Sequence, residues 1–160
     1  MSRLPSAPHT AVRFEPMQVD DLEVVLVIER QSLSPPWSRA MFLNELANTR
    51  TSRLLVARVD AEQTTLVGYV GYRVVMDEMH IVIVAVHPKW RRRRIARQML
   101  EYAIAQARQE SCRKATLEVR ASNVGAQQLY FQLGFAPVGT RPGYYRRPSE
   151  DALILWRDPL

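Results

Sequence analysis

A chain of 160 residues, 47% hydrophobic and 24% charged, fits one globular domain able to bury roughly two-thirds of its unfolded surface, which excludes disorder and collagen-like repetition. The formal charge of +6 sits in one place: residues 87–98 hold Lys89, Arg91, Arg92, Arg93, Arg94 and Arg97 with no carboxylate, and the rest of the chain balances to zero. So focal an excess points to a localised anionic ligand rather than the broad basic face of a nucleic-acid binder, and direct nucleic-acid binding is not expected.

Residues 1–11, with two prolines, read as a flexible polar arm, and residues 12–160 as a single domain. "VRFEPMQ" reads as a short strand. Asp20 is placed to cap a helix running to about residue 30, with Leu22, Val25, Leu26 and Glu29 at helical spacing. "SLSPPWS" is a loop, since Pro35-Pro36 forbids a helix there, and Ser38 can cap a helix over 39–47. "RLLVARV" and "LVGYVGYRVV" follow as a hairpin across "DAEQTT". "MDE" then turns the chain into "MHIVIVAV", a β-branched run expected to be buried on both faces and ended by Pro88.

From about 93 to 110, Ile95, Ala96, Met99, Leu100, Ala103, Ile104 and Ala107 share one helical face. "KATLEV" is a further strand, "NVGAQQLYFQLG" a helix opened by Asn123 and stopped by Gly134, and "FAPVGTR" and "ALILWR" the last strands. The order β-α-α-β-β-β-α-β-α-β-β predicts an α/β (α+β) fold. Its mixed, mostly antiparallel central sheet has about six to seven strands flanked by about four helices. One parallel step crosses through the basic helix, and strands that diverge there leave backbone donors for a ligand.

The lone Cys112 cannot form an internal disulfide and reads as an inert helix-end residue. No Cys/His cluster has metal spacing, so no metal is expected; His9, His80 and His87 read as structural or solvent-exposed. The longest uninterrupted apolar run covers only residues 81–86, and no signal-peptide core is present. The default expectation is the cytoplasm, without a membrane partner.

The chemistry concentrates where "VAVHPKWRRRRIARQML" passes from strand to helix. A helix mouth offers unpaired N–H groups and positive potential, and arginines in the same turn extend it into a polyphosphate grip; the plain alternative is a solvated basic face. This stretch resembles the acetyl-CoA loop of GNAT acetyltransferases, commonly written Arg/Gln-x-x-Gly-x-Gly/Ala. "LEVRASNVGAQQLYFQLGF" is similar to the family's second signature, and within the family to RimI-like enzymes. "PPWS" (35–38), "VVMDE" (74–78), "GYYRR" (143–147) and "EDALIL" (150–155) resemble RimI segments in the same order, so the likeness runs from about Phe14 onward.

The resemblance implies a GNAT fold, acetyl-CoA as acetyl donor, and transfer to the α-amine of a protein. The acceptor it implies is the N-terminal alanine of a small-subunit ribosomal protein. It places the backbone of Val84, Ala85 and Val86 along the pantetheine arm, and Arg91, Arg92, Arg93, Arg94, Ile95, Ala96 and Arg97 around the pyrophosphate. Asn123 adds a cofactor contact, Glu118 acts as base and Tyr130 as acid. Trp37 on one wall and Tyr144 with Tyr145 on the other would receive the peptide.

Read without the family, Glu118 is an exposed or salt-bridged strand carboxylate beside Arg120. Tyr130 is then a core aromatic near Leu129 and Leu133, Asn123 a helix cap, Trp37 a core residue, and Asp77 and Glu78 turn residues. One position departs from the pattern: Arg94 stands where the family usually has glycine, so it either reaches a phosphate or obstructs one. Two other functions therefore stay open, a GNAT enzyme acting on a lysine or small amine, and a CoA- or RNA-binding module without turnover.

Overall fold

The computed structural model describes residues 11–33, 35–60 and 63–160; the arm expected over 1–11 lies, but for Ala11, outside the described residues. Seven strands form one sheet: β1 (Val12–Pro16), β2 (Ser52–Asp60), β3 (Thr64–Val75), β4 (Glu78–Val86), β5 (Lys114–Arg120), β6 (Ala136–Arg146) and β7 (Ser149–Arg157). Their order is β1-β2-β3-β4-β5-β7-β6, and every neighbouring pair is antiparallel except β4 with β5. Helices α1 (Leu22–Ser32) and α2 (Arg39–Ala47) cover one face; α3 (Ile95–Gln109) and α4 (Val124–Gln132) cover the other.

Each face buries its own core. On the α3 side, Ile95, Met99, Leu100, Ala103 and Ile104 pack on Val70, Met79, Ile81, Leu117 and Leu155. On the α1 side, Leu22, Val25 and Ile28 meet Val56, Tyr69, Ile83 and Ala85, with Phe42 from α2. The burial of β4 on both faces follows from a bulge. Gly71 pairs with Ile83 and Tyr72 with Ile81, so Val82 is an extra residue. Met79 and Ile81 therefore face the α3 core, whereas Ile83 and Ala85 face the α1 core. Gly71 fits opposite this bulge because a Cβ there would lie 2.6 Å from Leu54 Cδ2 and 2.8 Å from Ile83 Cγ2.

Several boundaries differ from the sequence reading. Asp20 does not cap α1; a short 3-10 turn (Val19–Asp21) precedes the helix, and Asp21 Oδ2 accepts from the Gln18 backbone at 2.8 Å. Helix α3 begins at Ile95 rather than near residue 93, because Arg92 and Arg94 occupy the left-handed region at φ 63° and 61°, which no right-handed helix can include. Strand β6 runs on to Arg146, past Pro142 and Gly143. Its register shifts between Arg141 and Tyr145, where the Gly143 amide donates to Asp151 Oδ1 at 2.9 Å. Ser38 caps α2 through Met41 N at 3.2 Å, and Asn123 caps α4 through Ala126 N at 3.1 Å.

Candidate active site

The site grows from the one parallel pairing. Strands β4 and β5 are in register from Glu78↔Lys114 to Ile81↔Leu117 and no further. Beyond that pair β5 stays with β7 up to Arg120, while β4 stays with β3 up to Val86. The edge of residues 82–86, which contains Val84, Ala85 and Val86, thus has no β5 partner among the described residues. A strand edge without a ladder partner offers amides and carbonyls to an extended ligand.

The chain leaves β4 into a 3-10 turn (Pro88–Trp90), where His87 Nδ1 accepts from Lys89 N at 3.1 Å. The arginines that follow play different parts. Arg91 reaches back, donating from Nε to the Val86 carbonyl at 3.3 Å and from Nη2 to Ser32 Oγ at 3.2 Å. Arg93 lies over the Trp90 ring at 4.7 Å, and Arg97 pairs with Glu101 at 3.0 Å. Arg92 and Arg94 make no side-chain hydrogen bond or ion pair among the described residues.

The backbone of this loop is the candidate anion site. Arg92 and Arg94 have positive φ, while Arg91, the residue after the 3-10 turn, is extended; loops that mix left-handed with ordinary backbone are where successive N–H groups can form an anion-binding concavity. No side chain caps the first turn of α3, so its N–H groups remain available at the positive end of the helix. A cleft of about 540 Å³ opens there, lined by Val86, Arg91, Arg92, Arg94, Ile95, Ala96 and Arg97 on one side and by Gly125 and Leu129 of α4 on the other. Arg93 is not in its lining, and Asn123 sits two residues from Gly125 as the α4 cap. Its mixture of donors and apolar wall suits a polyphosphate joined to an extended organic arm.

On the opposite face, the alternation of β5 turns Ala115, Leu117 and Val119 into the α3 core and leaves Thr116, Glu118 and Arg120 pointing the other way. Glu118 is the first β5 residue beyond the last β4 partner. Its Oε2 lies 2.7 Å from His80 Nε2. That hydrogen bond holds the carboxyl below the ordinary glutamate range; burial opposes the shift and the charge of Arg141 assists it.

Near this pair stand Arg73 and Arg141, which sequence reasoning did not single out, and Arg120, Tyr144 and Tyr145, which it did. Arg73, the β3 partner of His80, is paired with Glu45 of α2, and Arg141 lies over the Tyr144 ring at 5.3 Å. Arg120 lies over Tyr145 at 4.2 Å and pairs with Glu150 at 3.3 Å. Tyr144 and Tyr145 meet edge to face at 5.0 Å. Burial pushes the Tyr145 hydroxyl up to about 12. Trp37 is half-buried, its ring 5.2 Å from Phe42, so it is anchored to the α1-side core.

Tyr130 comes from α4 and is nearly fully buried, its ring 6.1 Å from Phe135. Burial first, and the neighbouring Tyr145 second, push its hydroxyl up to about 12. It therefore stays protonated at neutral pH and is able to donate. Cys112 is buried, and burial raises its thiol, which disfavours the nucleophilic thiolate. Among the described residues no group of acidic, histidine or cysteine side chains is arranged to hold a metal, and no helix is long and apolar enough to cross a membrane.

His80 had a signal in the sequence: it is the one polar residue inside "HIVIVAV", and parallel pairing opposite Thr116 puts it one alternation from Glu118. Arg73 and Arg141 carried no comparable signal, because their positions depend on sheet order.

Comparisons with known proteins agree with this geometry. The acetyltransferase (GNAT) family profile matches residues 22–135. A Salmonella typhimurium protein named ribosomal protein bS18-alanine N-acetyltransferase is 31% identical over 87% of this chain and 92% of its own length. A Bacillus subtilis protein provisionally named for the same activity is 35% identical over 88% of this chain and 91% of its own. The crystal structure of the ribosomal-protein-S18-alanine N-acetyltransferase from Escherichia coli superposes with a TM-score of 0.81 at 26% identity, covering 93% of this chain and 94% of that one. Ard1 from Thermoplasma volcanium shares the fold, with a TM-score of 0.84 at 24% identity over 94% of this chain and 99% of that one.

Proposed function

The chain belongs to the GNAT family of acetyltransferases, acetyl-CoA-dependent N-acetyltransferases, and from that premise we propose that it acetylates the α-amine of a protein, the N-terminal alanine of ribosomal protein bS18, in the cytoplasm. The observation that carries the chemistry is the position of Glu118 where β4 and β5 part, with the arginine loop following the end of β4. The acceptor rests on the relatives, which carry that activity in their names at 30–35% identity.

In this reading the convergent N–H groups of residues 91–97 hold the pyrophosphate of acetyl-CoA, and the free edge of Val84, Ala85 and Val86 binds its pantetheine arm. The acetyl group then lies where the strands separate, within reach of an amine arriving from the α1 face. Glu118 is the carboxylate on the base side of the reaction. Held ionised by His80, it draws the incoming ammonium, which becomes the nucleophile once its proton has passed to the base side. An α-amine, with a pKa of about 7.7–8.0 against about 10.4 for lysine, is the easier acceptor to deprotonate.

Tyr130 protonates the departing thiolate. Trp37 from one side and Tyr144 with Tyr145 from the other bound the peptide groove. Transfer is direct, because the chain's one thiol is buried and kept protonated.

The test is thiol release with an acceptor panel: peptides beginning with alanine, serine or methionine, a lysine side chain, and spermidine. Turnover strongest with the alanine peptide supports the proposal. Turnover confined to lysine or spermidine replaces the acceptor. Salt-sensitive RNA binding without thiol release replaces the enzyme by a binding module. At saturating substrate, Glu118→Gln and Tyr130→Phe are each expected to lower kcat about 100-fold or more, and unchanged turnover removes them from the chemistry.

A further inference from the structure

The base side of the site holds two groups where the sequence suggested one. His80 and Glu118 come from the two strands of the parallel pair and meet through Nε2 and Oε2 at 2.7 Å, on the sheet face opposite the α3 core. With the carboxylate ionised, Nε2 carries the proton and donates it to Oε2. The neutral ring's lone pair is then on Nδ1, which has no hydrogen-bond partner among the described residues. The His80 side chain is 35% exposed and that of Glu118 13%, so the imidazole is the more reachable of the two.

We propose that Nδ1 of His80 takes the proton from the attacking amine, and that Glu118 orients the ring and stabilises the imidazolium. This rests on the reading of Glu118 as part of the base and names the atom on which the proton comes to rest. The amine nitrogen forms its bond to the acetyl carbon and gives one proton to His80 Nδ1. The carbon–sulfur bond breaks with its electron pair on sulfur, and the thiolate takes the Tyr130 proton. His80 then loses its extra proton to solvent while the tyrosinate regains one.

Two physical points favour the imidazole. A carboxylate held ionised by its own hydrogen bond is a poor final proton acceptor, whereas imidazole titrates in the range where an α-amine must be neutralised. A carboxylate behind a histidine, fixing its tautomer, is also the general arrangement of a base with its orienting group.

The charged surroundings do not oppose an imidazolium. Arg73, the β3 neighbour of His80, is taken up by Glu45 of α2. Glu78, on the same face of β4, pairs with Lys114, and Thr116 on β5 is neutral. Arg141, Tyr144 and Tyr145 come from the β6–β7 side, where the cation of Arg141 lies over a tyrosine ring. Glu118 is the anion in direct contact with the ring.

The test is kcat against pH at saturating acetyl-CoA and alanine peptide, for the wild-type enzyme and for His80→Gln and Glu118→Gln, with acetyl-CoA affinity measured by calorimetry. The proposal expects the wild-type kcat to fall about tenfold per pH unit below the imidazole range. It expects His80→Gln to lose at least about 100-fold in kcat, to lose that acid limb, and to bind acetyl-CoA as before. A His80→Gln enzyme that keeps its kcat, or keeps the acid limb where it was, overturns the proposal.

If His80→Gln is active and Glu118→Gln is not, the proposal falls while the reading of Glu118 stands. If both variants are active, that reading falls as well. Ring-nitrogen NMR of the wild-type protein gives a second measurement that needs no variant: the neutral ring protonated at Nε2 agrees, and protonation at Nδ1 contradicts.

Discussion

At Arg94 the family's preference for glycine acquires a physical cause. The residue sits in the left-handed region at φ 61°, ψ 20°, where glycine is unstrained and a side-chain-bearing residue is held at about 1 kcal/mol or more above its relaxed state. Arg94 adopts the glycine-like backbone, so the loop keeps its concave shape, and its side chain reaches the cleft lining. Arg94→Gly is expected to leave acetyl-CoA affinity equal or tighter and to change stability by no more than about 1 kcal/mol, since relief of strain is partly offset by glycine's greater unfolded freedom. Calorimetric titration checks the first point; loss of binding would make the Arg94 side chain a required ligand. The departure was legible in the sequence, but its cause was not, because φ at residue 94 is set by how the β4–α3 turn closes.

Glu29, read in sequence only as one of a helical stripe, is buried with no hydrogen-bond partner for either oxygen, and the Tyr69 hydroxyl near it is likewise unpartnered. Burial pushes its carboxyl up to about 7. The folded state therefore binds this proton more tightly than the unfolded one, and stability falls as pH rises from about 4.5 to about 7, by roughly 3 kcal/mol. Urea unfolding across that range should show the decline in the wild type and a flat response in Glu29→Gln; parallel curves would exclude Glu29 as the source.

Among the elements, β4 does most to build the site. Its β-branched run was readable as a strand buried on both faces, and the α3 stripe, the caps Ser38 and Asn123, and the element order were equally plain in the pattern. The Val82 bulge was not, because it exists only against β3. It reverses which core Ile83 and Ala85 enter, and it does so just where β5 stops pairing.

Gly71 provides its test: a branched side chain there would meet Leu54 and Ile83. Gly71→Val is expected to destabilise the fold by about 1–3 kcal/mol, read as a lower urea midpoint; an unchanged midpoint would show that the bulge tolerates a side chain. Strand β6 was cut short in the sequence reading at Pro142-Gly143, a pair that usually ends an element. Here it is absorbed by a register shift, after which Tyr145 pairs with Glu150.

Taken whole, the molecule is a sheet between two helical layers, with a seam at the single parallel step. The arginine loop opens beside the α3 and α4 layer, and the His80–Glu118 pair faces the α1 and α2 layer, so in the proposed reaction donor and acceptor would meet through the seam from opposite sides. Within the focal charge of +6, Arg91, Arg93 and Arg97 are engaged locally, which leaves the side chains of Arg92 and Arg94 at the cleft. Every role proposed above serves transfer from acetyl-CoA to a protein α-amine. It is tested most directly by incubating the enzyme with acetyl-CoA and an alanine-starting peptide from the bS18 N-terminus that also contains lysine, then locating the acetyl group by fragment mass spectrometry. One acetyl group on the alanine nitrogen is the predicted result; acetyl on lysine alone, or none, would contradict it.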